Sequence, residues 1–156
     1  ERVGDLVAYD LVRAHFGTLT EVVAAEAGAV VKTIGDAVMA TFPTPERALA
    51  AALRMRDAMQ ELNARSGRED LLVKIGLHEG PCLAVTLNER LDYFGQTVNI
   101  AARVQGLALS HSIFATEPVV NNPAAARLLG ERALAPVRRQ HSLRGIAEEL
   151  TVYEIP

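Results

Sequence analysis

A carboxylate on a tight turn is a good hard-oxygen ligand for Mg²⁺ or Mn²⁺, and the stretch Ala29 to Phe42, AVVKTIGDAVMATF, places one there. Val30-Val31 and Ala37 to Phe42 are short apolar runs flanking Thr33-Ile34-Gly35-Asp36, a pattern that predicts a hairpin with Asp36 at or near its tip. Lys32 lies four positions before that carboxylate. One carboxylate rarely holds a catalytic ion without a second ligand or a substrate's phosphates, so Asp36 by itself reads as an ordinary Gly-Asp turn. A second stretch, Leu91 to Gln105, reads LDYFGQTVNIAARVQ and carries Asn99 and Arg103 at i, i+4, on one face of a predicted helix. Taken singly, Lys32 is a strand residue on a solvated face and Asp92 a cap or turn residue before the helix. Asn99 and Arg103 are then the polar face that any surface helix needs. His78 and His111 lack the spacing of a metal cluster and read as structural or surface residues.

Helices and strands in alternation must position these side chains. From Asp5 to Ala27, Leu6, Tyr9, Val12, Phe16, Leu19, Val22 and Val23 recur at helical spacing, with a break expected at Gly17 and a left-handed end at Gly28. After the hairpin, Pro43-Thr44-Pro45 stops the second strand and opens a helix to about Arg65, ended by Ser66-Gly67. Leu71 to Leu77 and Pro81 to Leu87 read as neighbouring antiparallel strands around a His78-Glu79-Gly80 turn. Asn88 to Gly95 leads into a helix from about Gln96 to Leu107. A short strand follows at Ser112 to Thr116, then helical turns across Glu117 to Gly130, then a terminal strand pair within Ala135 to Ile155 joined near Gly145. The order implies an α+β fold, helices packed on a mainly antiparallel sheet.

At 156 residues the chain suits one domain over 1–156, able to bury roughly two-thirds of its unfolded surface. Its 16 basic and 19 acidic residues give a formal net charge of −3, which offers no broad electrostatic footprint for nucleic acid. An RNA-binding sheet is disfavoured further by an aromatic content of only 4%, since such sheets stack bases on exposed rings. The single cysteine, Cys82, cannot form an internal disulfide and fits a reducing, cytoplasmic setting. No run approaches the ~20 apolar residues of a membrane span, and the first residues lack a signal sequence's apolar centre.

Together the two stretches, with Lys32 and Asp36 in a hairpin followed by Asp92, Asn99 and Arg103 in the setting D-Y-F-G-Q-T-V-N-I-A-A-R, resemble the class III adenylate and guanylate cyclase catalytic domain. The resemblance covers nearly the whole chain and implies that family's ferredoxin-like core. It begins one strand late, so the chain is expected to be N-terminally truncated. The family's second metal-binding aspartate, on the preceding strand, is not assigned, and neither Asp5 nor Asp10 matches its motif.

By resemblance Asp36 is a ligand of a two-metal site for Mg²⁺ or Mn²⁺, Lys32 and Asp92 select the purine, and Asn99 and Arg103 stabilise the transition state. Arg144, in Leu143-Arg144-Gly145, stands where relatives carry a triphosphate-holding lysine before glycine; Gln96 stands where many carry Asp. An ammonium and a carboxylate match adenine's ring-nitrogen acceptor and exocyclic amine donor, whereas guanine reverses both groups. The implied reaction is therefore ATP to 3′,5′-cyclic AMP and pyrophosphate, at sites shared between two copies in a head-to-tail homodimer. The alternative is a catalytically silent nucleotide-binding or dimerisation module derived from such a domain.

Overall fold

Apolar side chains of three strands supply a sheet with two covered faces. The computed structural model describes residues 15–34, 37–67, 73–80, 83–87, 90–108, 112–142 and 149–156. The elements in order are α1 (residues 15–25), β1 (Ala29–Ile34), β2 (Ala37–Thr41), α2 (Pro45–Ser66), β3 (Ile75–Leu77), β4 (Leu83–Leu87) and β5 (Arg90–Phe94). They continue with α3 (Gln96–Leu107), β6 (Ile113–Thr116), α4 (Glu117–Val120), α5 (Pro123–Glu131), β7 (Val137–Ser142) and β8 (Glu149–Ile155).

β3, β6, β8 and β7 form one sheet in that order, β3 parallel to β6 and the other neighbours antiparallel. On one face Ile113, Ala115, Leu77 and Ile155 pack with Leu49, Ala52 and Leu53 of α2, Val119 and Val120 of α4, and Ala125 and Leu129 of α5. On the other, Phe114 and Val152 pack with Val104 and Ala108, with Ile100 and Leu107 beside them, so α3 covers that side. Strand alternation thus divides β6 between two cores. α1 lies against α2: His15 Nδ1 is 2.8 Å from Met59 Sδ, and the Glu26 carboxylate receives both Arg47 and Arg54.

Helix ends follow from local chemistry. Thr44 Oγ1 accepts from Arg47 N at 3.2 Å, Pro45 opens α2 and Glu46 sits in its first turn, while Gly67 closes it in the left-handed conformation at φ 67°. The end of α1 differs from expectation. Ala27, not Gly28, takes the left-handed angle at φ 60°. Gly28 is needed for room: a Cβ there would lie 2.6 Å from the Phe42 ring and 2.8 Å from the Thr41 carbonyl. Gly17 does not break the helix, which runs through it without interruption.

Two expectations about strands are corrected. β3 is not the antiparallel neighbour of the 81–87 run; it pairs in parallel with β6, and β4 pairs antiparallel with β5. Sequence alone makes β5 a lead-in to the helix, because Asp92 resembles a cap. Its alternation of Leu91 and Tyr93 with Asp92 and Phe94 is that of a strand. The first and last hairpins stand where the sequence put them, β1 with β2 and β7 with β8.

Candidate active site

Lys32 projects from β1 just beyond an irregularity. β1 pairs Val30 with Ala40 and Lys32 with Met39, leaving Val31 as an extra residue of the kind that bends a strand and re-aims its side chains. Asp92 lies within β5 of the other two-stranded unit. The two meet: Lys32 Nζ donates to Asp92 Oδ2 at 3.0 Å, across 60 positions of sequence. Asp92 Oδ1 accepts from the backbone N–H of Tyr93 at 2.7 Å, so both carboxylate oxygens are oriented. The Lys32 hydrogen bond first, and that of Tyr93 second, hold the Asp92 carboxyl below its ordinary range. The pair is open to solvent, with side chains 39% and 22% exposed.

Phe94, two residues beyond Asp92, is 43% exposed, and its ring centre lies 6.0 Å from Lys32 Nζ. Sequence reading missed it; the i, i+2 spacing from Asp92 would have revealed it once β5 was recognised. Leu91 and Tyr93, of the other alternation, line an open depression of about 320 Å³ with Ala29, Val30, Val31 and Thr41. Gly95 then turns the chain from β5 into α3 at φ 132°, ψ 179°, a conformation that favours glycine, and its carbonyl accepts the first helical bond from Asn99 N at 3.3 Å.

On α3 Val104 is buried, whereas Asn99 and Arg103 are exposed together. Among the described residues, neither side chain has a hydrogen-bond or ion-pair partner. The structure therefore joins Lys32 to Asp92 directly, and joins Asp92 to Asn99 and Arg103 only through the continuous β5–Gly95–α3 segment. Asp36 and Arg144 lie outside the described residues. Also among the described residues, no group of three or more His, Cys, Asp or Glu converges as an all-protein metal cage would. A hard ion carried largely by a nucleotide's phosphates needs only one or two carboxylates.

Residues 5–153 match the model of the adenylate and guanylate cyclase catalytic domain. The chain belongs to that family. The cyclase domain is 42% identical to an uncharacterized protein of Mycobacterium tuberculosis over 106 residues, 68% of this chain and 26% of that protein. It is 31% identical to adenylate cyclase 1 of Rhizobium meliloti over 122 residues, 68% of this chain and 18% of that one. It is also 31% identical to guanylate cyclase soluble subunit beta-2 of Rattus norvegicus over 119 residues, 70% of this chain and 17% of that one. The chain thus spans about a quarter or less of these relatives' length. A solved adenylate/guanylate cyclase/hydrolase from Silicibacter pomeroyi, 23% identical, superposes with a TM-score of 0.77 over 99% of this chain and 88% of that one. The cyclase domain therefore has the α+β fold expected of it, and its relatives include both adenylate and guanylate enzymes.

Proposed function

We propose that residues 1–156 act as one adenylate cyclase catalytic domain that converts ATP to 3′,5′-cyclic AMP and pyrophosphate. The observation that carries the choice of base is the Lys32–Asp92 pair, an oriented ammonium and carboxylate 3.0 Å apart and open to solvent. Adenine presents an acceptor and a donor side by side and suits them; guanine would set donor against donor and acceptor against acceptor, at on the order of 1–3 kcal/mol for each unsatisfied group.

In the reaction the ribose 3′-oxygen loses its proton and bonds to the α-phosphorus, and the bond from that phosphorus to the bridging oxygen breaks to release pyrophosphate. Arg103, exposed and unpaired among the described residues, is available to neutralise charge growing on the α-phosphate. Asn99, on the same face, would orient the ribose. Arg144 would hold the outer phosphates. Asp36 is the residue that would hold Mg²⁺ or Mn²⁺, which when bound supplies charge neutralisation for the triphosphate and acidifies the attacking hydroxyl.

Because Asn99 and Arg103 find no partner within the described residues, the reading places them against a second copy. Two head-to-tail chains would build each site, Asp36 coming from one and Lys32, Asp92, Asn99 and Arg103 from the other. The setting proposed is the cytoplasm; among the described residues, no helix is long and apolar enough to cross a membrane.

The test is turnover with ATP and with GTP under Mg²⁺ and Mn²⁺, followed by chromatography of the product. Cyclic AMP formation in preference to cyclic GMP is expected. ATP binding with no cyclic product under either ion would replace the enzyme by a silent nucleotide-binding module. For the shared site, Asp36→Ala and Asn99→Ala chains should each be inactive and regain activity when mixed; no recovery after verified subunit exchange would defeat that arrangement.

A further inference from the structure

The backbone of β3 and the residues that follow it meets α3 at both ends of the helix. A Cβ at Gly76 would collide with the backbone of Gln105 in the last turn, its Cα lying 2.6 Å away. A Cβ at Gly80 would lie 2.6 Å from Thr97 Oγ1 and 3.4 Å from Thr97 Cγ2 in the first turn. Contact this close is open only to glycine. Between the two glycines, His78 Nδ1 shares a 2.6 Å hydrogen bond with Thr116 Oγ1 at the end of β6, where Thr116 is 1% exposed. Thr116 is also the residue before α4, yet its hydroxyl makes no cap to that helix; it is turned to His78 instead. Gln105 Nε2 reaches back to the Lys74 carbonyl at 3.5 Å, adding a polar tie at the far end.

We propose that Gly76 to Gly80 is a positioning segment for catalysis: its two glycines seat α3 against the sheet, and the His78–Thr116 bond fixes the segment, so that Asn99 and Arg103 stand where turnover needs them. The proposal rests on the cyclase reading above. These residues touch no substrate; they act through α3. A Cβ on Gly76 would meet main chain in the last turn and one on Gly80 would meet the short Thr97 side chain in the first, so an added carbon at either end presses α3 away from the segment. Displacement of reacting groups by about 1 Å can cost up to ~100-fold in rate while leaving base recognition at Lys32 and Asp92 untouched.

Gly80→Ala tests this, compared with Thr97→Ala and with the double variant, which removes the hydroxyl that the new methyl meets. In Gly80→Ala, kcat should fall roughly ten- to a hundredfold while the affinity for a non-cyclisable ATP analogue stays within about twofold of the parent. Adding Thr97→Ala should return kcat to the Thr97→Ala level. A Gly80→Ala protein with parental kcat overturns the proposal, as does an equal loss of binding and turnover, or a loss that Thr97→Ala does not relieve. If Gly80→Ala does not fold, the double variant must; its failure to fold also overturns the proposal. Crystal structures of both variants give a readout free of activity, α3 displaced in the single and restored in the double. Should the parent make no cyclic product from ATP or GTP, the cyclase reading fails, and those structures still decide whether the segment seats the helix.

Discussion

Arg103 and Asp92 should fail in different ways when altered. Arg103 has no internal use among the described residues, so Arg103→Ala should leave the fold and nucleotide affinity nearly intact. Its kcat should fall by about 10²–10³, the usual cost of removing one group that meets transition-state charge; steady-state kinetics with a parallel melting curve checks this. Asp92→Ala should instead blur the choice of base, since Lys32 loses the partner that orients it. The ATP-to-GTP ratio of kcat/KM should drop by about 5- to 150-fold, the equivalent of ~1–3 kcal/mol. The ion pair itself is robust to acid. Hydrogen bonds from Lys32 and from Tyr93 keep Asp92 ionised as pH falls through the ordinary carboxylate value of 3.8, so base preference should not vary across neutral and mildly acidic pH.

Contact between α3 and β3 makes a separate prediction. Gly76→Ala drives a methyl into main chain, which cannot rotate away as a side chain can, so a loss of at least ~2 kcal/mol is expected from urea unfolding. This closeness also shows why some elements were readable in advance and others were not. α2 announced itself through Thr44-Pro45, a long apolar stripe and Gly67, all of them local signals. β5 did not, because Asp92 before a helix has the chemistry of a cap, and only its pairing with β4 and its reach to Lys32 make it a strand. Parallel pairing of β3 with β6 was equally hidden, since it depends on residues far apart in the chain, while turn chemistry speaks only for neighbours. Of the candidate site, the family resemblance pointed to Lys32, Asp92, Asn99 and Arg103, which residue type and spacing alone would have left as ordinary surface groups; the contact between the first two, and Phe94 beside them, required three dimensions.

For the molecule as a whole, two half-buried histidines set the acid side of stability. Burial lowers the pKa of His15, against Met59, and of His78, against Thr116, below the ordinary imidazole value of 6.5. Glu79 and Glu117, the charged neighbours in sequence of His78 and Thr116, are both exposed. The unfolded chain therefore takes up protons at a higher pH than the folded one, and the stabilisation is complete above 6.5. It declines as pH falls through 6.5 towards the lowered folded values. Melting temperature should drop over that interval, and His78→Gln should shrink the drop; a flat profile from pH 7 to 5 would contradict both assignments.

β8 follows every other described strand in sequence, yet it lies between β6 and β7, and Arg56 grips the Ile155 and Pro156 carbonyls at 3.0 and 2.8 Å. A nascent polypeptide stalled on the ribosome before Glu149 would hold β6 and β7 with no common neighbour, and Arg56 with nothing to clasp. Protease resistance of arrested translation products should therefore emerge abruptly, only once Pro156 has cleared the exit tunnel, and synthesis up to that moment leaves the unpaired edge of β6 for chaperones to shield.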